Sequence, residues 1–310
     1  MKAPFLVDGV IPIIPTPFTS EDKIDFKSLE RLLEFAVRAG VCGVCLPAYA
    51  SEFYKLREAE RHELVCHAVD FLSGRLPVVA QVNHVSAAYA AEVAGELENA
   101  GASAINVAVP RLMALPEGDL LRYFDRILQK ISVPLIIQDY NPGGVTVSND
   151  FVKRLHEQHP HFRYLKLEEP LMSSRVQAIC SETQGDVGII DGWGGVYMLE
   201  LIDAGICGVM PGLAVSDILQ KVWQLAKGGN KDAAYNLFQG VLPQITYSLQ
   251  NMEFFHHAEK ALLVDRGVLA TDTVRDATMT VNKVDRNHIQ FLNSKVMELV
   301  RSEASSLPVA

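Results

Sequence analysis

The chain has 310 residues, 49% hydrophobic and 21% charged, with 28 basic against 37 acidic side chains and a net charge of -9. That composition suits a globular protein long enough to bury its own core without disulfides or metal. No long basic run offsets the acidity and no uncharged apolar run reaches roughly 20 residues, so neither nucleic acid nor a membrane is an expected partner.

Short β-rich apolar runs predict eight strands, at 10–14, 43–47, 77–82, 104–109, 134–138, 163–167, 187–190 and 205–210. They are continuously apolar rather than alternating, as expected of a parallel sheet covered on both faces. Helical patterns separate them at 26–39, 57–71, 86–99, 120–130, 149–157, 171–181 and 196–203. Gly40 and Gly205 stand where C-caps belong. The interval from strand to strand, about 20 to 35 residues, is the size of one βα unit. Eight units, with no G-x-G-x-x-G after the first strand, predict a (β/α)8 TIM barrel rather than a doubly wound sheet.

From Ser216 the strand runs stop, and helices are expected at 218–226, 232–242, 256–266 and 281–300. The expected organisation is thus a barrel over 1–215 and a C-terminal helical domain over 216–310, with the small polar tail from 302 onward loose. The five cysteines (Cys42, Cys45, Cys66, Cys180, Cys207) include one C-x-x-C inside an apolar run, with no second pair to complete a zinc site. Buried thiols are expected of them. The start of the chain carries no signal-peptide pattern, so a cytoplasmic protein is expected.

In such a barrel the reacting groups stand at the C-terminal ends of the strands. Lys166 is the one lysine within any of the eight runs, and strand alternation puts Leu165 and Leu167 toward the helices and Lys166 toward the axis. A buried ammonium is costly unless paired, and desolvation favours the neutral amine that attacks carbonyls. The competing reading is a structural lysine paired with Glu168 or Glu169. Other polar groups share this rim: Thr16, the run Ala48-Tyr49-Ala50-Ser51-Glu52, His84, Arg111, Gln138 with Asp139, Tyr140 in the loop beyond, Asp191 and Trp193. An arginine, or a serine hydroxyl backed by amides, suits a substrate carboxylate, and His84 suits proton transfer. A Mg²⁺-stabilised enolate would need inward carboxylates on several neighbouring strands. The fourth and fifth runs supply only Asp139.

The segments 9–18 (G-V-I-P-I-I-P-T-P-F), 51–61 (S-E-F-Y-K-L-R-E-A-E-R), 164–168 with its lysine, and 260–263 resemble the dihydrodipicolinate synthase/N-acetylneuraminate lyase family of Schiff-base aldolases and dehydratases. The resemblance implies a (β/α)8 barrel with trailing helices and an imine between Lys166 and pyruvate or another 2-keto acid. It also implies a homodimer or homotetramer, with no cofactor and no metal. The chain departs from the synthase pattern. Ala48–Glu52 replaces G-T-T-G-E, Gln138-Asp139 replaces the strand-five tyrosine and asparagine, Arg111-Leu112 replaces a tyrosine pair, and the loop 141–147 lacks the usual arginine.

The pattern is most similar to the L-2-keto-3-deoxyarabonate dehydratase branch, through Ser51-Glu52, Gln138-Asp139, Lys166 with Glu168, and Asp191-Gly192. The resemblance therefore implies a lyase dehydrating a 2-keto-3-deoxy sugar acid, giving 2,5-dioxopentanoate from a five-carbon substrate. Lys166, Gln138, Glu52 and Tyr140 are the expected catalytic group. Ser51, Tyr49, Ala50, His84, Arg111, Asp191 and Trp193 are expected to bind substrate, Ser51 and its amides clamping the carboxylate. Two alternatives stay open: a 2-keto-3-deoxy acid aldolase releasing pyruvate, and a synthase-like barrel with lost or altered catalysis.

Overall fold

The structure, a computed structural model, describes residues 5–141 and 146–303. Its strands are β1 (Gly9–Val10), β2 (Val44–Leu46), β3 (Val78–Gln81), β4 (Ala104–Ala108), β5 (Leu135–Tyr140), β6 (Phe162–Glu168), β7 (Gly188–Asp191) and β8 (Gly208–Val209). They form one eight-stranded sheet in the order β1-β8-β7-β6-β5-β4-β3-β2. Ile13, just past β1, bridges in parallel to both Cys45 of β2 and Gly212. This is the strand order of a (β/α)8 barrel, as predicted. The first strand is shorter than expected because Pro12 and Pro15 carry no N–H for a ladder. Isolated bonds such as Ile13 N–H to the Pro211 carbonyl (2.8 Å) replace it.

The chain divides into two compact units, Met1–Asp8 with Pro77–Met210 and Gly9–Leu76 with Pro211–Ala310. The boundary drawn at 215/216 from sequence falls inside the second. In the first unit α3 (Ala87–Asn99), α4 (Glu117–Leu128), α5 (Asn149–Gln158), α6 (Ser173–Glu182) and α7 (Met198–Ala204) alternate with β3–β8. Ser86 caps α3 by accepting the Tyr89 N–H and Ser148 caps α5 by accepting that of Phe151. The parallel registers pair Gln81 with Asn106, Ala108 with Gln138, Gln138 with Lys166, and Tyr140 with Glu168. Partners in register face the same side. Gln81, Asn106, Gln138, Tyr140, Lys166 and Glu168 therefore share one face of the sheet. Tyr164, one layer lower on that face, accepts a hydrogen bond from the Val7 N–H (3.2 Å) and donates one to the Phe5 carbonyl (3.3 Å).

The second unit holds β1, β2, α1 (Phe26–Ala39), α2 (Glu58–Leu72) and the C-terminal helices α8 (Ser216–Lys227), α9 (Lys231–Gln239), α10 (Leu242–Ser248), α11 (Met252–Asp265) and α12 (Lys283–Ser302). Helix α1 has the predicted bounds. Asp25 accepts the Ser28 N–H at its start, and Gly40 closes it at φ 68°. The helix expected over 232–242 is two, because Pro243 fits only the first turn of a helix and starts α10. Phe254, Ala258, Val281 and Ile289 form a small core among these helices. Of the tail from 302 onward, residues 304–310 lie outside the described residues, as do 142–145 of the loop after β5. All five cysteines are thiols, Cys45 buried and the others partly so. Among the described residues no helix is long and apolar enough to cross a membrane.

Candidate active site

In the first unit, Lys166 is 4% exposed and its Nζ lies 3.1 Å from Glu168 Oε1. Both side chains leave the same face of β6, two residues apart. The same Glu168 oxygen accepts a 2.7 Å hydrogen bond from Gln138 Nε2 on the neighbouring strand. Gln138 Oε1 in turn accepts from Gln81 Nε2 (2.8 Å), and Gln81 Oε1 accepts from Asn106 Nδ2 (2.7 Å). Three adjacent strands thus contribute one buried line of amides that ends on the carboxylate beside the lysine, on the next strand. A paired, hydrogen-bonded ammonium is one a protein can bury.

Asp191, the last residue of β7, is fully buried. Its Oδ1 accepts the Trp193 N–H at 3.0 Å, while Oδ2 is buried without a hydrogen-bond partner among the described residues. Burial, reinforced by the Glu168 charge and opposed by Trp193 and Lys166, pushes this carboxyl up to about 7. A carboxyl that exchanges its proton near neutrality is suited to general acid-base work. Between Asp191 and Trp193 stands Gly192, where a Cβ would lie 2.5 Å from Glu168 Cγ and 2.8 Å from Lys166 Cε. The lysine and glutamate fill the space a side chain would need.

Tyr140 lies in β5 and not in the loop where the sequence suggested it. Pairing with β6 continues through Asp139 opposite Leu167 to Tyr140 opposite Glu168, which extends the strand two residues beyond the predicted end. Its phenol is pushed up by burial and by the Glu168 charge. Arg111 is drawn to Asp139, which alternation places on the opposite face of β5 from Gln138 (Nη2 to Oδ1 2.5 Å). Asp139 also accepts the Val147 N–H at 2.8 Å. Burial outweighs these partners and leaves the Asp139 carboxyl above its ordinary range. His84 Nδ1 accepts the Ser86 N–H (3.0 Å) at the start of α3, so this ring organises a turn.

The second unit holds the other expected residues. Tyr49, Ala50 and Ser51 form a single 3-10 turn. The Ser51 hydroxyl, fully buried, donates to the Ile14 carbonyl (2.6 Å) and accepts the Ala48 N–H (3.0 Å). Both of these hydroxyl functions are thus spent on backbone. Glu52, also fully buried, accepts from Lys260 Nζ (2.5 Å), Lys55 Nζ (3.2 Å) and the Arg275 N–H (3.1 Å). Burial lowers the Lys260 ammonium and Glu52 opposes the shift. The structure therefore gathers Lys166, Gln138, Glu168, Tyr140 and Asp191 in one unit. It ties Arg111, His84, Ser51 and Glu52 to other partners within their own units. Gln81 and Asn106 were missed by the sequence reading, although each is a polar residue inside an apolar run, the signal that singled out Lys166.

Among the described residues no group of three or more His, Cys, Asp or Glu is placed to hold a metal ion. Residues 6–295 match the model of the dihydrodipicolinate synthetase family. The chain belongs to that family. Its members are Schiff-base lyases. The L-2-keto-3-deoxyarabonate dehydratase of Azospirillum brasilense is 26% identical over 272 residues, covering 86% of this chain and 87% of its own. A 4-hydroxy-tetrahydrodipicolinate synthase of Methanopyrus kandleri is 27% identical over 243 residues, 77% of this chain and 80% of its own. The crystal structure of dihydrodipicolinate synthase from Rhodopseudomonas palustris superposes with a TM-score of 0.86 at 26% identity, covering 94% of this chain and 98% of that one.

Proposed function

We propose that this chain dehydrates a 2-keto-3-deoxy sugar acid through an imine on Lys166. The observation that carries the reading is the company Lys166 keeps: two carboxyl groups, Glu168 and Asp191, and a carboxamide, Gln138, where a proton-relaying phenol would serve aldol cleavage. Cleavage between C3 and C4 requires a base for the C4 hydroxyl proton. Dehydration requires a base at C3 and an acid for the departing C4 hydroxyl. A carboxamide takes no proton from an alcohol, whereas two carboxyl groups, Glu168 as base and Asp191, raised to about 7, as acid, can form a pair. Two titratable groups held in different environments commonly divide those roles. The similarity to the Azospirillum dehydratase supports the same reading.

The sequence of steps then follows from these groups. The Lys166 amine adds to the C2 carbonyl and water leaves, giving the imine. The imine acidifies C3, and Glu168 accepts that proton. The enamine expels the C4 hydroxyl, which departs as water with a proton from Asp191. Tautomerisation and hydrolysis of the imine release product and lysine; a five-carbon substrate yields 2,5-dioxopentanoate.

The position of Tyr140 within β5 favours the second reading, a 2-keto-3-deoxy acid aldolase. Its phenol shares the face of Gln138, yet burial and the Glu168 charge hold the proton on it. Borohydride reduction followed by intact mass, with five- and six-carbon 2-keto-3-deoxy acids of both C4 configurations, tests both readings. The expected adduct sits on Lys166, has already lost the C4 water, and is absent in Lys166→Ala. No pyruvate reaches a lactate dehydrogenase coupled assay. Release of pyruvate at the rate of substrate loss would establish the aldolase. An adduct persisting in Lys166→Ala would remove the mechanism altogether, and no adduct with any acid would leave a barrel without this chemistry. Assembly as a dimer or tetramer belongs to the same proposal and is checked by light scattering.

A further inference from the structure

The direction of the buried amide line is fixed from both of its ends. An ionised Glu168 only accepts hydrogen bonds, so Gln138 must turn its NH2 toward it and its carbonyl toward Gln81. At the far end, Asn83 Oδ1 accepts the Ala108 backbone N–H (3.0 Å), a donor that cannot be reversed. The same oxygen accepts from Gln81 Nε2 at 3.0 Å. Asn83 therefore requires Gln81 to present its NH2, and that NH2 also reaches Gln138 Oε1. Two independent constraints, a backbone amide on β4 and a carboxylate on β6, demand the same polarity.

We propose that Gln81 is a positioning residue: held by Asn83, it prevents the Gln138 amide from flipping and so keeps an N–H donor aimed at Glu168 beside Lys166. The inference rests on the reading of Lys166 as the imine-forming lysine, and it adds what keeps a hydrogen-bond donor on its neighbouring carboxylate. Were the Gln138 amide reversed, its carbonyl would face Glu168 and would bond only a protonated acid. The charged and titratable groups facing Glu168 are Lys166 on its own strand, Asp191 on β7 and Tyr140 on β5. Gln81 itself carries no charge, so its replacement by leucine changes the donor and not the local charge.

In Gln81→Leu the Gln138 carbonyl loses the Gln81 donor, and both orientations of the amide become accessible. The acid limb of the rate at which pyruvate exchanges its C3 hydrogens with solvent deuterium, the step in which Glu168 is the base, should move to higher pH by about one unit, the scale of one charge-assisted hydrogen bond. The shift should vanish in a Gln138→Leu background, where there is no amide to orient. A merely structural role for Gln81 would lower the melting temperature equally in both backgrounds and leave the limb in place. Superposable limbs for Gln81→Leu and the unmodified protein would overturn the proposal, as would an equal shift with Gln138 absent.

Infrared difference spectra give a readout that needs no turnover. The carboxylic acid stretch assigned by its loss in Glu168→Gln should appear at higher pH in Gln81→Leu. If the unmodified protein traps no pyruvate, the Schiff-base reading falls, and this band still decides the positioning claim. Gln81→Met serves if the leucine variant does not fold, with the same expected shift and the same overturning result.

Discussion

Substituting Gly192 by alanine tests how tightly the lysine and its carboxylate are packed. The new methyl group would lie 2.5 Å from Glu168 Cγ, 2.8 Å from Glu168 Oε1 and 2.8 Å from Lys166 Cε, against ordinary contact at 3.4–4 Å. Glu168 Cγ must therefore retreat by about 0.9 Å and Lys166 Cε by about 0.6 Å to reach that contact. Neither retreat is that of a loose chain end. Glu168 Oε1 is tied to Gln138 at 2.7 Å and to Lys166 at 3.1 Å, and both side chains are buried. Overpacking of this kind costs about 1–3 kcal/mol. A misplacement of about 1 Å among reacting groups slows chemistry by up to about 100-fold. Gly192→Ala should therefore keep its fold, lose several degrees in melting temperature and form the reduced adduct some 10 to 100 times more slowly, on the order set by that misplacement. Single-turnover trapping with borohydride, read by intact mass, gives the rate, and calorimetry gives the stability. Adduct formation at the unmodified rate would show that the lysine and glutamate yield freely, and the packing argument would be refuted.

Burial raises the carboxyls of Asp191 and Glu259 to about 7 each. A raised folded value means that their stability contribution is complete below the unfolded values near 4 and is lost as pH climbs through about 7. Melting temperature should thus decline between pH 4 and 8, and Asp191→Asn and Glu259→Gln should each flatten part of the decline, on the order of 2–4 kcal/mol per group. Parallel curves for the variants and the unmodified protein would exclude both assignments. Glu60 behaves oppositely. Burial pushes it up, but a two-pronged pair with Arg275 (3.0 Å and 3.0 Å) and the Arg57 N–H bring it down to about 2. Its contribution is present above about 4.5 and lost as pH falls through 2, so Glu60→Gln should destabilise by about 3–5 kcal/mol at pH 7 and far less near pH 2. Equal losses at both pH values in denaturant titrations would contradict the pairing.

Much of the architecture was legible because it is written locally. Apolar runs of strand length, helical spacing between them, and capping residues such as Asp25 and Gly40 are properties of neighbouring residues. A lysine inside an apolar run is another, and alternation alone aims Lys166 away from Leu165 and Leu167. The same test would have found Gln81 and Asn106, because a polar side chain within a covered strand must be satisfied somewhere. The loop placement of Tyr140 failed for a different reason. Where β5 ends is decided by how far β6 continues beside it, and that register is not a property of either strand.

The sequence by itself determined the barrel, its helices and the buried, inward-facing Lys166, since these follow from period, propensity and the cost of burying charge. Only the tertiary structure decided what each polar group is free to do. Ser51 is consumed by the Ile14 carbonyl and the Ala48 N–H, and Glu52 by a lysine 208 residues away. Arg111 is held by Asp139, and Asp191 is left with one buried oxygen unpartnered among the described residues. Hydrogen-bond directions and desolvation depend on groups that meet only when the chain has folded. Residue type names the chemistry a side chain can perform, and its surroundings decide which proton it holds.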